Sequence, residues 1–158
     1  MVTVGDTAPD FIAPLVDEET EATSFEDHLG DGPVVLAFFP AAFSSTCTME
    51  FQTFRDELGR FEELGATVFG ISTDTSYALE RFREEFDLPF GLISDNNGEI
   101  IAAYDVVDDF EHIAMWGVAQ RSVFVIDSEG IVQYAWRADN PGEEPDYEAV
   151  LAAVEAVR

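Results

Sequence analysis

Two short runs of uninterrupted apolar residues stand out in the chain, with a helical pattern between them. The first run, Val34 to Phe39, is typical of a strand that is buried on both faces. From about Thr46 to Leu64 the apolar residues recur at helical spacing, and Gly65 ends the pattern. The second run, Ala66 to Ser72, again predicts a buried strand. A strand, a helix and a strand with short joints predict a βαβ unit whose two strands are parallel.

The remaining pattern predicts further elements around this unit. We expect strands over 10–15, 90–93, 122–126 and 131–136, helices over 76–86, 99–104 and 147–157, and a brief helical turn over 25–29 that Ser24 caps. Asp127-Ser128-Glu129-Gly130 predicts a hairpin turn between the last two strands. Residues 105–120 lack a clear period and predict a loop. The absence of repeats and linkers predicts one α/β domain over residues 1–158.

The chain is strongly acidic, with 33 Asp and Glu residues, seven basic residues that are all arginine, and a formal net charge of −26. Such a surface repels nucleic acid and anionic membranes, so neither is an expected partner. An acidic interaction domain would concentrate its carboxylates in blocks, whereas here they are spread along the chain. We therefore favour a protein that stays hydrated in a high-salt, halophilic cytoplasm, where screening weakens self-repulsion.

The location of the protein is predicted from three further features. One cysteine allows no internal disulfide, so nothing indicates secretion. The N-terminal residues lack the charged and apolar regions of a signal peptide. No apolar stretch approaches the ~18 residues of a membrane span. A soluble, cytoplasmic protein is the expectation.

The single cysteine, Cys47, lies where the first buried strand gives way to the long helix. Without context, a free cysteine is more often a small core residue. At a helix start, however, backbone N–H groups and the helix dipole favour an anion such as a thiolate. No charged residue occurs from Pro33 to Met49, and Ser44 and Ser45 place hydroxyl groups within a turn of the sulfur. These features favour a reactive thiol.

A thiolate alone is a modest catalyst, because the leaving atom of its target also needs stabilisation, for which a guanidinium is suited. Arg55 lies two turns beyond Cys47 on the same helix, about 12 Å away, though its long side chain could fold back. Arg121 begins the strand 122–126, and sheet topology could bring this strand end beside the one leading to Cys47. The other arginines that we considered are expected to form surface ion pairs: Arg60, Arg81 and Arg83.

Pro40, Ser44 and Cys47 match the peroxiredoxin motif of proline, three residues, Thr or Ser, two residues and cysteine. Arg121, followed by Ser-Val-Phe-Val-Ile-Asp, resembles the second active-site block of that family. The resemblance extends over nearly the whole chain. It implies a thioredoxin-like fold, with a mixed central sheet and helices on both faces. It also implies the reduction of hydrogen peroxide, organic hydroperoxides or peroxynitrite.

The same resemblance implies a role for each matching residue. Cys47 would be the peroxidatic nucleophile, which attacks the peroxide and becomes a sulfenic acid. Pro40 would shield the sulfur from water, and the Ser44 hydroxyl would hold the peroxide. Arg121 would stabilise the thiolate and the polarised O–O bond. Glu50 is similar to a family glutamate that orients this arginine, although a solvated helix carboxylate is an equally open alternative.

The chain departs from the common family pattern at two positions. Ser44 stands where most members have threonine, which keeps the hydroxyl and loses the methyl group. Gln52 stands where members of the bacterioferritin-comigratory group often have a resolving cysteine. The chain therefore looks like the one-cysteine, AhpE-like branch, whose sulfenic acid is reduced by an external thiol or a redoxin. No cofactor or metal is expected, because His28 and His112 are far apart in sequence.

Two other functions were weighed against a peroxidase. A thiol–disulfide oxidoreductase is disfavoured because no Cys-x-x-Cys is present and no proline occurs between Phe90 and Asn140. A non-enzymatic redox sensor shares the reactive cysteine and stays open. Family members are commonly dimers, so a homodimer is expected. The apolar candidates for its contact are Phe43, Phe110 and Trp116.

Overall fold

The structure is a computed structural model that describes residues 1–158. Nine strands are present: β1 Ile12–Val16, β2 Thr20–Ser24, β3 Val34–Phe38, β4 Thr67–Ser72, β5 Gly91–Ser94, β6 Val107–Phe110, β7 Met115–Ala119, β8 Ser122–Ile126 and β9 Val132–Arg137. Four α-helices accompany them: α1 Ser45–Glu63, α2 Ser76–Glu85, α3 Glu99–Ala103 and α4 Tyr147–Val157. Short 3-10 helices cover Phe25–His28 and Glu111–Ile113. All helices and most strands therefore lie within two residues of the predicted bounds.

Seven of the strands form one mixed sheet, in the order β2-β1-β5-β4-β3-β8-β9. The central strands β3, β4 and β5 are parallel, which confirms the βαβ unit predicted around α1. β1 and β8 flank them and run antiparallel to their neighbours. β8 and β9 form the predicted hairpin, in which Gly130 donates its N–H to the Asp127 carbonyl at 3.0 Å.

Alternate side chains of β3 point to opposite faces of the sheet and enter two separate cores. Val35 and Ala37 pack on the face covered by α1, α2 and α4. Leu36 and Phe38 pack on the other face, with α3 and the first 3-10 helix. Because both faces are covered, every residue of β3 is buried, which explains its continuous apolar run. The expected helices on both faces are confirmed.

A glycine allows α1 to approach the sheet closely. A Cβ atom at Gly70, in β4, would lie 2.6 Å from the Phe51 ring of α1 and 2.8 Å from Leu92 of β5. No real Cβ atom tolerates such a distance, so only glycine fits here. The first helix, and with it Cys47, is thereby held against the carboxyl-terminal half of the parallel strands.

Two expectations about local structure were wrong, and one strand was not predicted. Residues 105–120 are not a loop, because β6 and β7 pair with each other in a separate two-stranded sheet around the second 3-10 helix. β2 was missed because its sequence, Thr-Glu-Ala-Thr-Ser, is polar and forms an exposed edge. The Ser24 side chain makes no cap bond to the 3-10 helix, and its hydroxyl instead lies 3.5 Å from an Asp10 carboxylate oxygen.

Candidate active site

Cys47 is the third residue of α1, in the first turn after the loop that follows β3. The N–H groups of a first helical turn have no partner within the helix, so this end of α1 carries partial positive charge. The Cys47 side chain is buried, with 1% of the residue exposed. It forms no disulfide. Burial alone is typical of a core cysteine, so the reactivity of the sulfur depends on the groups around it.

The Arg121 guanidinium contacts the sulfur. One of its terminal nitrogens, Nη2, donates to Cys47 Sγ at 3.3 Å and to the Pro141 carbonyl at 2.9 Å. The two residues meet because β8 pairs antiparallel with β3, so that Ser122 lies opposite Phe38. Arg121 therefore lies beside the end of the strand that leads to the cysteine, as the sheet topology was expected to allow.

Glu50 completes a buried row of three ionisable groups. Its Oε1 accepts from Arg121 Nη1 at 2.6 Å, and no part of the residue is exposed. The alternative of a solvated helix carboxylate is therefore wrong. Burial raises the pKa of Glu50 to about 7, although the nearby Arg121 opposes the shift. Burial disfavours the charged form of Arg121, but Glu50 and Cys47 more than compensate and raise the pKa of Arg121.

The other arginines considered from the sequence lie away from the sulfur. Arg55 does not fold back, because it donates to the Phe86 carbonyl and pairs with Asp56. Arg60 and Arg83 form the expected surface ion pairs, the first with Glu57 and Glu148 and the second with Asp17. The ion pair expected for Arg81 is wrong, because this arginine has no carboxylate within reach. Arg121 is therefore the guanidinium that reaches Cys47.

The loop between β3 and α1 is fixed from two sides. The Asp74 carboxylate accepts from the Ala42 N–H at 2.8 Å and from the Ser72 hydroxyl at 2.6 Å. Phe43 adopts a left-handed backbone with a φ of 72°, and its ring packs against Phe82 of α2 with 5.3 Å between the centroids. A left-handed phenylalanine is costly, so the surroundings must impose it. The β4–α2 connection and α2 therefore hold the loop that precedes the cysteine.

Ser44 and Pro40 lie at the mouth of the site. Ser44 is exposed and directly precedes α1, and its hydroxyl donates to the Ala41 carbonyl at 2.8 Å rather than to Cys47. Pro40 is buried directly after the strand. Both residues line a surface cavity of about 290 Å³ together with Arg121. A hydroxyl can rotate, so Ser44 is able to donate into this cavity instead.

Two contacts at the site could not be predicted from the sequence. The Pro141 carbonyl holds Arg121, but a backbone acceptor in a connecting segment leaves no pattern in the sequence. Asp74 is one of many carboxylates in this chain, and only the structure shows that it binds the loop. The structure contains no group of three or more His, Cys, Asp or Glu side chains arranged to hold a metal ion. None of the helices has the length and apolar character that a bilayer-spanning segment needs.

Comparison with known proteins identifies the family. Residues 4–135 match the AhpC/TSA family. The chain belongs to it. A Pyropia yezoensis protein classed as peroxiredoxin ycf42 is 39% identical over 140 residues, which cover 84% of this chain and 67% of that protein. A Coxiella burnetii protein classed as peroxiredoxin bcp is 33% identical over 136 residues, which cover 85% of this chain and 88% of that protein.

A solved structure supports the same assignment. The crystal structure of peroxidoxin BcpB from Mycobacterium tuberculosis superposes with a TM-score of 0.87 at 32% identity, over 100% of this chain and 99% of that one. The predicted thioredoxin-like fold is therefore confirmed, as is the resemblance to the bacterioferritin-comigratory group. As a member of the peroxiredoxins, the chain is a thiol-dependent peroxidase. Its single cysteine fits the one-cysteine mechanism.

Proposed function

We propose that Cys47 is the peroxidatic residue of this peroxiredoxin and that Arg121, Ser44, Pro40 and Glu50 assist it. The observation that carries the proposal is the 3.3 Å contact from Arg121 Nη2 to Cys47 Sγ. A guanidinium keeps its proton at all relevant pH values, so it can stabilise a thiolate without being neutralised by it. Packing of a cysteine in the core does not by itself explain a buried cation beside the sulfur.

The reaction follows from this geometry. The Cys47 thiolate attacks the terminal oxygen of a hydroperoxide, an S–O bond forms, and the O–O bond breaks. The remaining oxygen leaves with the bonding electron pair and takes a proton, giving water from hydrogen peroxide or an alcohol from an organic hydroperoxide. Negative charge moves from the sulfur to this leaving oxygen, and the Arg121 guanidinium is close enough to follow it. Cys47 becomes a sulfenic acid.

Regeneration requires a thiol from outside the chain, since Cys47 is the single cysteine. An external thiol attacks the sulfenic acid, forms a mixed disulfide and releases water. A second thiol then displaces Cys47 as its thiolate and leaves as a disulfide. A small thiol or a redoxin can supply these two electrons.

The supporting residues act on this centre in different ways. Pro40, buried after β3, keeps water from one side of the sulfur. Ser44 turns its hydroxyl toward the peroxide when the substrate enters. Glu50 and the Pro141 carbonyl hold Arg121 from two directions, which fixes the guanidinium against the sulfur.

Rapid oxidation of the protein tests this proposal. Stopped-flow mixing with hydrogen peroxide should oxidise one residue per chain, and mass spectrometry should place the new oxygen on Cys47. Turnover should appear only when a thiol is supplied. Cys47→Ser should abolish both reactions, and Arg121→Ala should slow oxidation by about 10²-fold or more, as expected for loss of a charge-stabilising donor.

The same experiment separates the peroxidase from its alternative. Fast oxidation without turnover by any small thiol or redoxin would indicate a redox sensor. A rate equal to that of free cysteine would contradict both functions. Arg55→Ala is the matched control, since that arginine lies away from the sulfur, and it should leave the oxidation rate close to that of the wild type.

The assembly and location of the protein are part of the proposal. Phe43 and Trp116, two of the three expected contact residues, are 47% and 63% exposed and support a homodimer that covers them, whereas Phe110 is half-buried. Light scattering in molar KCl tests this, and a monomer at micromolar concentration would contradict it. The evenly spread negative charge supports a halophilic, cytoplasmic protein.

A further inference from the structure

The irregular segment between β9 and α4, residues 138–146, runs past Arg121 and contacts it twice. At the start of the segment, the Ala138 N–H donates to the Arg121 carbonyl at 2.8 Å, and the Gln120 side chain donates to the Ala138 carbonyl at 3.0 Å. Three positions later, the Pro141 carbonyl accepts from Arg121 Nη2 at 2.9 Å. The segment therefore binds both the backbone and the guanidinium of the same arginine.

The contact with the Pro141 carbonyl bears on the direction of the bond to the sulfur. Arg121 Nη2 carries two N–H groups at a fixed angle in the plane of the guanidinium. One of them donates to the Pro141 carbonyl, and the other donates to Cys47 Sγ at 3.3 Å. Glu50 holds the other terminal nitrogen, and a single bond there does not by itself stop the guanidinium from tilting. The position of the Pro141 carbonyl therefore helps to set where the second N–H points.

The Asn140 side chain holds the same peptide unit from its other side. The carbonyl of Pro141 and the N–H of Gly142 belong to one planar, trans peptide unit, so they point in opposite directions. Asn140 Oδ1 accepts from the Gly142 N–H at 3.0 Å, which forms an Asx turn. The Asn140 carboxamide and the Arg121 guanidinium are thus bonded to opposite sides of one rigid plane.

The other constraints on the turn leave the orientation of this peptide unit open. The proline ring fixes φ of Pro141 but not ψ, and rotation about ψ turns the carbonyl. Glu143 Oε1 accepts from the Asp139 N–H at 2.9 Å, and the Glu143 N–H donates to the Asn140 carbonyl at 3.2 Å, but these bonds act on neighbouring peptide units. Asn140 and Pro141 are exposed, so packing of their side chains does not fix the carbonyl either.

We propose that Asn140 is a positioning residue of the peroxidase reaction. Its carboxamide orients the Pro141 carbonyl, and this carbonyl directs Arg121 Nη2 at the sulfur of Cys47. The inference rests on the proposed function of Cys47 and Arg121, and Asn140 itself touches neither the sulfur nor the peroxide. An amide accepts the Gly142 N–H without adding a negative charge near the thiolate, as a carboxylate at this position would.

The experiment measures two properties of the site in molar KCl. Stopped-flow mixing with hydrogen peroxide gives the oxidation rate, and absorbance at 240 nm gives the fraction of thiolate at pH 7, with Cys47→Ser as the blank. In Asn140→Ala, oxidation should slow about tenfold and the thiolate fraction should fall, because the guanidinium lies less often against the sulfur. Asn140→Asp keeps the Oδ1 acceptor, and molar salt screens its charge, so it should restore both values to nearly those of the wild type.

Asp127→Ala is the matched control. Asp127 Oδ1 accepts from the Glu129 N–H at 2.9 Å, two positions on, which is the same kind of turn bond as that of Asn140. This turn follows the end of β8, whereas Arg121 precedes its start. Asp127 also accepts from the Ile131 N–H, so its loss should lower the free energy of unfolding in urea at least as much as Asn140→Ala. The oxidation rate and the thiolate fraction should nevertheless stay at their wild-type values.

The outcomes distinguish this inference from the function on which it rests. If the wild type is oxidised no faster than free cysteine, the proposed function fails. If the wild type reacts fast and Asn140→Ala matches it in rate and in thiolate fraction, only the role of Asn140 is overturned. Equal slowing in Asn140→Ala and Asp127→Ala would mean that both act through general stability, which also overturns it. The same holds if Asn140→Asp reacts as slowly as Asn140→Ala, since the Oδ1 acceptor is then not what matters.

Discussion

At Cys47, the sulfur, a guanidinium and a carboxyl group lie in one buried row. Arg121 stands in the middle and shares its charge between the two neighbours, at 3.3 Å and 2.6 Å. A buried ion pair of this kind contributes little to stability, because desolvation cancels much of the attraction. Its value lies in fixing the cation beside the sulfur. Glu50 Oε2 and Arg121 Nε are buried and have no hydrogen-bond partner within the protein.

Glu50 predicts a pH dependence of stability. Burial raises its folded-state pKa from 4.5 to about 7, against the effect of Arg121, and Glu144 adds to the rise. Between these two pH values the folded protein holds a proton that the unfolded chain has lost. The resulting stabilisation is complete below about pH 4.5 and is lost as the pH rises through 7. Relative to Glu50→Gln, the wild type should lose about 3 kcal/mol at most across this range.

Urea unfolding at several pH values measures this difference. Glu148→Gln is the matched control, since Glu148 is an exposed carboxylate that pairs with Arg60. The ionisable groups that face Glu50 are Arg121, Glu144 and Tyr147. If the free energies of unfolding of the wild type and of Glu50→Gln change with pH in the same way, the raised pKa of Glu50 is contradicted.

The residues of the site differ in how well the sequence predicts them. Cys47 and Arg121 stand at element boundaries, where spacing and strand pairing narrow their positions. Glu50 was ambiguous because a helix carboxylate beside apolar residues can face either water or the core, and burial depends on the whole fold. The contact with the Pro141 carbonyl could not be predicted from the sequence, since every residue carries a backbone carbonyl.

Among the elements, the loop between β3 and α1 depends on the β4–α2 connection. Asp74 accepts from the Ala42 N–H, Ser72 donates to Asp74, and the Ser94 hydroxyl donates to the Asp74 carbonyl at 2.7 Å. These bonds tie the loop to the ends of two parallel strands. The position of Cys47 is therefore set by neighbouring elements as well as by its own helix.

Removal of these hydrogen bonds should impair both the reaction and the stability. We expect Asp74→Ala to slow oxidation of Cys47 by about tenfold, because the loop loses its anchor and the sulfur leaves its reactive geometry more often. The loss in unfolding free energy should be about 1.5–3 kcal/mol, typical of a hydrogen bond to a charged group. Stopped-flow oxidation and urea unfolding measure the two effects.

Thr75→Ala is the matched control for this prediction. Its hydroxyl accepts from the Ala78 N–H at 3.3 Å and caps α2, one residue beyond Asp74. Loss of a cap costs about 1 kcal/mol. This variant should therefore be less stable but oxidise at the wild-type rate. Equal slowing in both variants would mean that Asp74 acts through general stability alone.

Elements with strong apolar periodicity were predictable, and those without it were not. β3 and α1 are predictable from the sequence because their burial requires continuous or helically spaced apolar residues. β2 and β6 carry polar and acidic residues and pair at the margins, so tertiary contacts rather than local pattern decide their conformation.

The whole molecule carries a charge that should make its stability depend on salt. With a net charge of −26, self-repulsion favours expansion unless ions screen it. The screening length is about 3 Å in 1 M salt and about 10 Å in 0.1 M salt. We expect the midpoint of thermal unfolding to fall on the order of 10 °C when the protein is moved from molar KCl into dilute buffer, which corresponds to a few kcal/mol for this size.

A charge-reduced variant provides the control for this prediction. Glu18, Glu19 and Glu21 are exposed carboxylates near the β1–β2 turn. Exchange of all three for glutamine should raise the midpoint in dilute buffer and change it little in molar KCl. Equal midpoints for the wild-type protein at both salt concentrations would show that the acidity serves another purpose.

Arg121 stands 74 positions after Cys47, beyond most of the chain. During synthesis the cysteine leaves the ribosome long before its cation has been translated, and it is then an ordinary thiol. The sheet cannot close until β8 arrives to pair with β3. With the role proposed for Arg121, the polypeptide gains its high sensitivity to peroxide only as folding is completed.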